Sequence, residues 1–525
     1  MASSKKIPFK RVGIIGAGSM GSMMSLGLAE KGYCVSIWDV DSANTRGVLE
    51  KAQQTNPINK KIEGFYDIKS FADSFGDERK LLLLSISHGQ PADEVLGMLI
   101  SNKLLKQGDV ILDGGNEHYR ETERRQRILK DQDVSWIGMG VSGGYQSARR
   151  GPSLSPGGDE AAVRSVLPVL EHFAAQSEGR NGIKQACVDF IGPGGAGHFV
   201  KMVHNGIENG MLGIICEAWS LMAKGLGMDE DQIGQVFEQW NESDELKGTY
   251  LLKIGSEICH KHKTPRGDNK GEGRGKQGFV LDDILDKVVQ DDDDTEGTGY
   301  WSVMEAAERH VSAPTIAAAQ FLRVASGNRA QRLEVAKRLR APQPQKFDMK
   351  DEERGTFVRD LQRAVYVGIL VSFCQGLELM ARASSDEGWH VDLATCIRIW
   401  RSGCIIQCDQ IADILEPILV ANSAAENPQE KMNMKLVPEV ADVLHDNIAP
   451  LKRIVLDGVQ WDAYVPTLSA SLEYLKYAGG ITLPTQFMEA EMDFFGAHSF
   501  DRPGVEGEDP GKTGKGSHHY EWKPA

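Results

Sequence analysis

A glycine-rich turn near the N-terminus constrains the fold more than any other feature. The segment Gly16-Ala17-Gly18-Ser19-Met20-Gly21 follows the apolar run Val12–Ile15, and a helical pattern continues to about Lys31. Glycines at this spacing, between a strand and a helix, allow a tight turn and let a pyrophosphate approach the helix N-terminus. We therefore predict a dinucleotide site formed by Gly16, Gly18, Ser19, Met20 and Gly21.

Asp39 lies at the end of the next apolar run, where a carboxylate accepts the ribose hydroxyls of an adenosine. A 2′-phosphate at that place would bring like charges together, at a cost of about 4 kcal/mol for unit charges at about 4 Å and an effective dielectric constant near 20. Val40 and Asp41 follow, and Arg46 is the nearest cation that could compensate. This local chemistry favours NAD over NADP.

The alternation of apolar runs and helical patterns predicts the architecture. Val12–Ile15, Val35–Trp38, Leu81–Ile86 and Val110–Leu112 are typical of buried strands. From about Gly195 helical periodicity dominates, after the turn-rich segment Gly192–Gly195. We predict an α/β, Rossmann-type, doubly wound domain over residues 1–194, a large all-α domain over 195–490 and an extended C-terminal tail over 491–525.

The helical part contains a weak internal repeat. Ile215–Ala223 resembles Phe373–Ala381, and Trp240 or Trp400 follows within about one helix length. A duplicated helical unit would explain the size of this domain. The alternative is chance resemblance between two amphipathic helices.

Composition excludes several classes of partner. With 59 Lys and Arg against 74 Asp and Glu, the net charge is −15, which disfavours binding to nucleic acid or anionic membranes. We identify no secretory signal, no apolar run of bilayer length and no metal-ligand spacing among the eight Cys, and we expect a reduced, cytoplasmic protein. Lys261–Gly278 and Asp291–Asp294 are predicted to be surface loops.

A candidate acid–base group lies on the first long helix. Lys201, Asn205 and Glu208 are spaced i, i+4, i+7 and share one face, with His204 beside them. A lysine that is partly desolvated in a cleft can lose its proton and act as a general base. The alternative is an ion pair on a solvated face.

Two further turns follow predicted strands. Asp113-Gly114-Gly115-Asn116 and Val141-Ser142-Gly143-Gly144 each place polar groups at the carboxyl end of a strand, where doubly wound sheets bind ligands. The Ser142 hydroxyl and the backbone N–H groups after it suit a carboxylate or a sugar hydroxyl.

These motifs together resemble one family. The matching stretches are Ile111–Arg120, Gly140–Gly144, Gly151–Gly158, Gly195–Glu208 and Phe495–His498, in addition to the Gly16 turn. They extend over the whole chain, and the sequence resembles the decarboxylating 6-phosphogluconate dehydrogenases of the β-hydroxyacid dehydrogenase superfamily.

The resemblance implies oxidation and decarboxylation of 6-phosphogluconate to ribulose 5-phosphate, in the oxidative pentose phosphate pathway, with reduction of NAD or NADP and without a metal. It implies that Lys201 is the general base for the C3 hydroxyl and that Glu208 protonates the enediol at C1. The implied contacts to the sugar acid are Asn116, which also lies near the cofactor, and Ser142, Gly143, Gly144, His204 and Asn205. It further implies a homodimer in which the tail carries His498 into the partner's site.

The chain departs from the family where the phosphate should bind. Thr298, Arg323 and His498 match, but the family's Tyr, Lys and Arg are replaced by Asn209, Glu296 and Met492. Near the cofactor, a family lysine is replaced by Ser87. The tail residues Arg502, Lys512 and Lys515 are candidates to compensate.

The departures leave two other functions open. One is an NAD-dependent dehydrogenase of a sugar acid with no phosphate or a different one. The other, from another class, is a non-catalytic dinucleotide-binding protein, although such a protein need not retain both Lys201 and Glu208.

Overall fold

The computed structural model describes residues 9–55, 58–179, 182–263, 278–289, 297–422 and 433–523. The chain forms two compact units, Met1–Leu472 and Glu473–Ala525. Asp291–Asp294 and most of Lys261–Gly278 lie outside the described residues. The domain boundaries expected near residues 194 and 490 stay predictions.

The first unit opens with a seven-stranded sheet and a small two-stranded one. The strands are β1 Arg11–Ile15, β2 Cys34–Trp38, β3 Ile62–Phe65, β4 Leu81–Leu84, β5 Val110–Asp113, β6 Ser135–Ser142, β7 Ser153–Gly157, β8 Gln176–Glu178 and β9 Lys184–Ala186. The order in the large sheet is β3-β2-β1-β4-β5-β6-β7, and all pairs are parallel except β6 with β7.

Strand sequences explain the layers. Ile14 packs into one hydrophobic cluster and the adjacent Ile15 into another, on the opposite face of the sheet. Both faces are covered, so a continuous apolar run such as Leu81–Leu84 is buried throughout. The predicted doubly wound sheet is present, although the run Leu81–Ile86 leaves the sheet after Leu84. The strand β3, the antiparallel β7 and the antiparallel β8–β9 pair were not predicted.

Helices cover the sheet and dominate the described residues that follow it. They are α1 Ser19–Glu30, α2 Ser42–Gln53, α3 Ile68–Asp73, α4 Gln90–Ser101, α5 Tyr119–Leu129, α6 Gly144–Arg150, α7 Glu160–Phe173, α8 Ala196–Ser220, α9 Glu230–Glu242, α10 Tyr250–Cys259, α11 Thr298–Glu308, α12 Pro314–Gly327, α13 Arg329–Leu339, α14 Asp351–Glu387, α15 Leu393–Ile399, α16 Asp409–Asn422, α17 Pro438–Gln460, α18 Pro466–Ala478 and α19 Thr485–Gly496.

Helix α8 crosses closely over β6 because glycines meet at the contact. A Cβ on Gly140 would overlap the Lys201 side chain, and a Cβ on Gly197 would overlap the Gly138 carbonyl. Substitution at either glycine would push the helix away from the strand. The position of Lys201 over the end of β6 thus depends on this approach.

Helix α14 is the centre of the helical part. Within the described ranges it is the one helix long and apolar enough to cross a membrane, and its most apolar window is 89% buried inside the protein. Our expectation that no apolar run reaches this length was wrong. The run is apolar on every side because other helices surround it, including α8 and α17.

The two copies of the suggested repeat lie in α8 and α14 and make equivalent contacts. Glu217 accepts hydrogen bonds from the backbone N–H groups of Thr467 (2.6 Å) and Leu468 (2.9 Å), in the first turn of α18. Gln375, at the matching position, accepts one from Ile316 N (3.3 Å) at the start of α12. Each copy therefore caps a helix that begins Pro-Thr-Ile or Pro-Thr-Leu, which supports duplication over chance.

The second unit contains α19 and the tail that follows it. A backbone bridge pairs Phe500 with His518, and the buried carboxylate of Asp493 accepts hydrogen bonds from residues after the helix. The described residues of the tail, up to 523, thus make polar contacts with Asp493 and with one another.

Candidate active site

The glycine turn has room for a dinucleotide pyrophosphate. Gly16 has φ +98°, and a Cβ there would overlap the Ser85 carbonyl, while a Cβ on Gly21 would overlap the Gly16 carbonyl. At Gly18 no atom lies within 4 Å of the Cβ position, so the space before the first turn of α1 is open. A helix N-terminus facing open space through glycines fits the negative charge of a pyrophosphate.

Asp39 is fixed against that turn. Its Oδ2 accepts a hydrogen bond from Ala17 N (2.6 Å), and its Oδ1 accepts from Asp41 N (2.8 Å) and Asn44 Nδ2 (3.3 Å). Within the described part of the chain, the exposed Arg46 forms no ion pair with this carboxylate. The charge that argues against a 2′-phosphate is therefore held in place.

The strand-end turns lie along one edge of the sheet. Gly114 N donates to the Leu84 carbonyl (2.9 Å), and a Cβ on Gly115 would touch the Ile86 carbonyl (2.8 Å). The order β1-β4-β5-β6 then brings the Gly16 turn, Asn116 and Ser142 to the same edge, across three strand spacings of about 4.8 Å each. That length suits an extended dinucleotide with a substrate at one end.

Lys201 is buried at this edge, with 7% of its surface exposed. Its Nζ donates to Ser142 Oγ (3.2 Å) and to Asn205 Oδ1 (2.9 Å). The amine is therefore shielded from bulk water, which is the environment expected of a lysine that acts as a general base. The solvated-face alternative for this lysine is therefore excluded.

Asn205 connects the group. Its Oδ1 also lies 3.1 Å from His204 Nδ1, and its Nδ2 donates to Thr298 Oγ1 (2.8 Å). The amide oxygen thus receives two donors while the amide nitrogen is bound to a helix from elsewhere in the chain. This fixes the orientation of Asn205 and, through it, that of Lys201.

His204 is completely buried. Burial lowers the pKa of this imidazole well below its usual value, and the charge of Lys201 acts in the same direction whenever the lysine is protonated. Its Nε2 has no hydrogen-bond partner among the described residues, which leaves one ring nitrogen available to a ligand. Glu208 Oε2 is 3.8 Å from His204 Nδ1, and the Glu208 side chain is 25% exposed.

The turn after β6 is shaped for a small anion or hydroxyl. Gly143 has φ +100° and Gly144 φ +66°, and no atom lies within 4 Å of a Cβ position on Gly144. A Cβ on Gly143 would overlap the Gly403 carbonyl. The Ser142 hydroxyl and the N–H groups of α6 therefore border an open space next to Lys201.

The residues expected at the far end of the substrate form a second polar group. Asn209, which is buried, donates through Nδ2 to Gln320 Oε1 (3.0 Å), and its Oδ1 lies 3.5 Å from Arg323 Nη1. Gln320 was missed, because a single glutamine on a helix gives no sequence signal. Glu296 lies outside the described residues, and His498 is exposed in the second unit.

An aromatic wall near Asn116 was also missed. Trp301 makes edge contacts with His88 (4.9 Å between ring centroids) and His118 (5.1 Å). Burial lowers the pKa of His118. These residues come from separate parts of the chain, so only a structure brings them together.

No metal centre is apparent. Among the residues that the structure describes, no group of three or more His, Cys, Asp or Glu side chains is placed to hold a metal ion. All eight cysteines are free thiols.

Comparison with known proteins identifies the family. Residues 11–192 match the family model described as the NAD binding domain of 6-phosphogluconate dehydrogenase, and residues 197–522 match its C-terminal domain. The chain belongs to the 6-phosphogluconate dehydrogenase family.

Individual relatives cover almost the whole chain. A decarboxylating 6-phosphogluconate dehydrogenase of Emericella nidulans is 58% identical over 96% of this chain and 100% of its own. An NAD(+)-dependent, decarboxylating one of Bacillus subtilis is 33% identical over 95% of this chain and 98% of its own. The solved Plasmodium falciparum enzyme, described with NADP+ and with 6-phosphogluconate, has 30% identity and a TM-score of 0.82, and covers 98% of this chain and 100% of its own.

The predicted family and fold class are thereby confirmed. The relatives support the NAD(P)-dependent decarboxylating dehydrogenase among the functions considered above, and none supports the other two. The roles of the individual site residues stay predictions.

Proposed function

We propose that this protein oxidises and decarboxylates 6-phosphogluconate to ribulose 5-phosphate while reducing a nicotinamide cofactor. The observation that carries the proposal is the buried Lys201, hydrogen-bonded to Ser142 and Asn205 on the sheet edge that also holds the glycine turn. A sensor of dinucleotides would not need a desolvated amine at that place.

The cofactor is held by the glycine turn and by Asp39. Gly16, Gly18 and Gly21 leave room for the pyrophosphate, and Ser19 and Met20 form the first turn of α1 beneath it. When bound, the nicotinamide supplies an acceptor for the hydride that leaves C3. Because Asp39 is fixed and lacks a cationic partner among the described residues, NAD is preferred to NADP.

Lys201 starts the reaction as a base. Its Nζ takes the proton of the C3 hydroxyl as the C3–H bond breaks, which yields a 3-keto acid and an ammonium group. Ser142 Oγ and Asn205 Oδ1, already within 3.2 Å of Nζ, accept hydrogen bonds from that ammonium. Asn116, Gly143, Gly144 and His204 hold the hydroxyl groups and the carboxylate.

Decarboxylation follows without a metal. The C1–C2 bond breaks, and its electron pair is delocalised onto the C3 oxygen, where Lys201 returns the proton to give an enediol. Glu208 then donates a proton to C2, the carbon left by CO2, and the C3 hydroxyl loses its proton to give the ketone, which is C2 of ribulose 5-phosphate. The 25% exposure of Glu208 lets water restore its proton.

The phosphate end is bound by Thr298 and Arg323, together with His498 of a second copy. Arg323 supplies a guanidinium suited to phosphate oxygens, and Asn209 is hydrogen-bonded beside it. Because Asn209 replaces the family's Tyr, phosphate binding is weakened, but the cationic guanidinium of Arg323 is retained.

The active form is a homodimer in the cytoplasm. Exposed apolar side chains on helices around the site, such as Leu212, Met304, Phe321 and Val324, offer a surface for a second copy. Exchange of tails would bring His498 to the partner's site, and eight free cysteines suit a reducing compartment. Sedimentation should give twice the chain mass of 57.6 kDa.

The direct test is turnover. Purified protein with NAD or NADP and 6-phosphogluconate should produce reduced nicotinamide and CO2 in equal amounts. Unphosphorylated gluconate should react far more slowly, because Arg323 then has no phosphate to bind. Turnover of gluconate at an equal kcat/KM would contradict the assigned substrate, and absence of any reduced nicotinamide would contradict the reaction.

A further inference from the structure

The backbone around His498 is unusual. Ala497 has φ +46° and Ser499 has φ +71°, so two non-glycine residues in the left-handed region flank the histidine. This region is unfavourable for residues with a Cβ and persists where surrounding contacts enforce it. The His498 side chain itself is exposed.

Asp493 enforces this conformation from both sides. Its carbonyl accepts a hydrogen bond from Ala497 N (2.9 Å), and its carboxylate Oδ1 accepts one from Ser499 N (3.1 Å). Asp493, one turn back along α19, therefore accepts hydrogen bonds from the residues on both sides of His498. Since the carboxylate is charged, its bond to Ser499 is stronger than a neutral one.

The same carboxylate anchors the end of the tail. It accepts hydrogen bonds from His519 Nδ1 (2.9 Å), Tyr520 N (3.1 Å) and Trp522 Nε1 (2.9 Å), and Asp493 has no exposed surface. These donors, together with Ser499 N, hold the carboxylate in one orientation. Because the Asp493 carboxylate is held in one orientation, it can in turn hold the backbone at Ser499 in place.

Gly496 provides the space for the His498 ring. A Cβ on Gly496 would overlap Cδ2 and Nε2 of that imidazole. The ring also lies against Phe495, with 5.8 Å between centroids. The orientation of the His498 ring is therefore determined by the backbone on both sides of the residue and by the absence of a side chain at Gly496.

We propose that Asp493 is a positioning residue, which locks the Ala497–Ser499 backbone so that His498 is presented in one orientation to the sugar acid in the partner's site. This inference rests on the proposed function, because it requires His498 to contact the substrate of a second copy.

Two variants test the proposal. Asp493→Asn removes the charge but keeps the size, and Gly496→Ala leaves the hydrogen bonds of Asp493 in place but displaces the ring. We expect each to raise KM for 6-phosphogluconate about tenfold, in line with loss of one hydrogen bond to a charged group. KM for the nicotinamide cofactor and kcat should change less than threefold.

Glu508→Gln is the matched control. Glu508 also accepts several tail hydrogen bonds, from Arg502 N, Ser517 Oγ and His518 Nε2, but it does not flank His498. A general loosening of the tail would affect this variant equally. We expect its KM for 6-phosphogluconate to stay within twofold of the wild type.

A mutant cycle completes the test. If Asp493 acts through His498, Asp493→Asn should add nothing to the KM of His498→Ala. Additive effects of the two substitutions would overturn the inference, and so would an unchanged KM in both Asp493→Asn and Gly496→Ala. The proposed function is judged separately, because it is upheld by turnover of 6-phosphogluconate by the wild type. An unchanged KM in His498→Ala would overturn the inference too, since Asp493 would have no contact to act through.

Discussion

Asp39 offers the sharpest test of how this chain chooses its cofactor. Its carboxylate is tied to the glycine turn by Ala17 N at 2.6 Å, and it is half-buried. Repulsion between unit charges at about 4 Å is about 1 kcal/mol in water and about 4 kcal/mol at an effective dielectric constant of 20. A half-buried group lies between these limits, at about 2 kcal/mol.

We therefore expect Asp39→Asn to raise kcat/KM for NADP about 30-fold, since each 1.4 kcal/mol is about a factor of ten. The same change removes a charge-assisted hydrogen bond to the ribose hydroxyls and should lower kcat/KM for NAD at least about tenfold. Initial rates at saturating 6-phosphogluconate, with each cofactor varied, give both values.

Asp41→Asn is the matched control for this experiment. Asp41 carries the same charge two residues away and caps α2 through Ala43 N (2.8 Å), and Asn caps a helix equally well. Its ratio of NAD to NADP efficiency should stay within about threefold of the wild type. Equal responses of the two variants, or a wild type that already prefers NADP, would refute the reasoning.

Three further predictions concern stability and the base. Burial raises the pKa of Glu217 to about 7, so its contribution to stability is complete below the usual pKa of 4.5 and is lost as the pH rises through about 7. In urea titrations between pH 4.5 and 8, the wild type should lose up to about 3 kcal/mol of unfolding free energy relative to Glu217→Gln. An equal pH dependence of the two proteins would contradict this. Gly143→Ala forces a Cβ into the Gly403 carbonyl at φ +100° and should lower the stability by about 1–3 kcal/mol, seen as a lower midpoint in thermal melts; an unchanged midpoint would argue against the described turn. Asn205→Asp places a negative charge 2.9 Å from the Lys201 amine, which favours the protonated form of the lysine and should move the acidic limb of the kcat/KM profile to higher pH. An acidic limb at the wild-type pH would argue that another group is the base.

Local sequence patterns were sufficient for four strands of the large sheet and for the helix that carries Lys201. The apolar runs that predicted β1, β2, β4 and β5 are buried on both faces, so burial and strand formation favour the same residues. Likewise, the i, i+4 spacing puts Lys201 and Asn205 on one face of the helix, where their polar atoms lie 2.9 Å apart.

Contacts between distant segments could not be predicted in this way. The bond from Asn205 to Thr298 joins residues 93 positions apart, and the sequence suggested Thr298 only through resemblance to a family. The wall formed by His88, His118 and Trp301 has no local signature at all. In the tail, Asp493 orders the segment after α19 through hydrogen bonds that no composition rule anticipates.

The most direct test of the central claim is a single-turnover experiment on Lys201→Met, which keeps the length of the side chain and removes its amine. We predict that hydride transfer, followed by absorbance of the reduced nicotinamide, slows by at least about 10²-fold, as expected for loss of a general base, while cofactor affinity measured by fluorescence stays within about twofold. Hydride transfer at the wild-type rate in this variant would show that Lys201 is not the base.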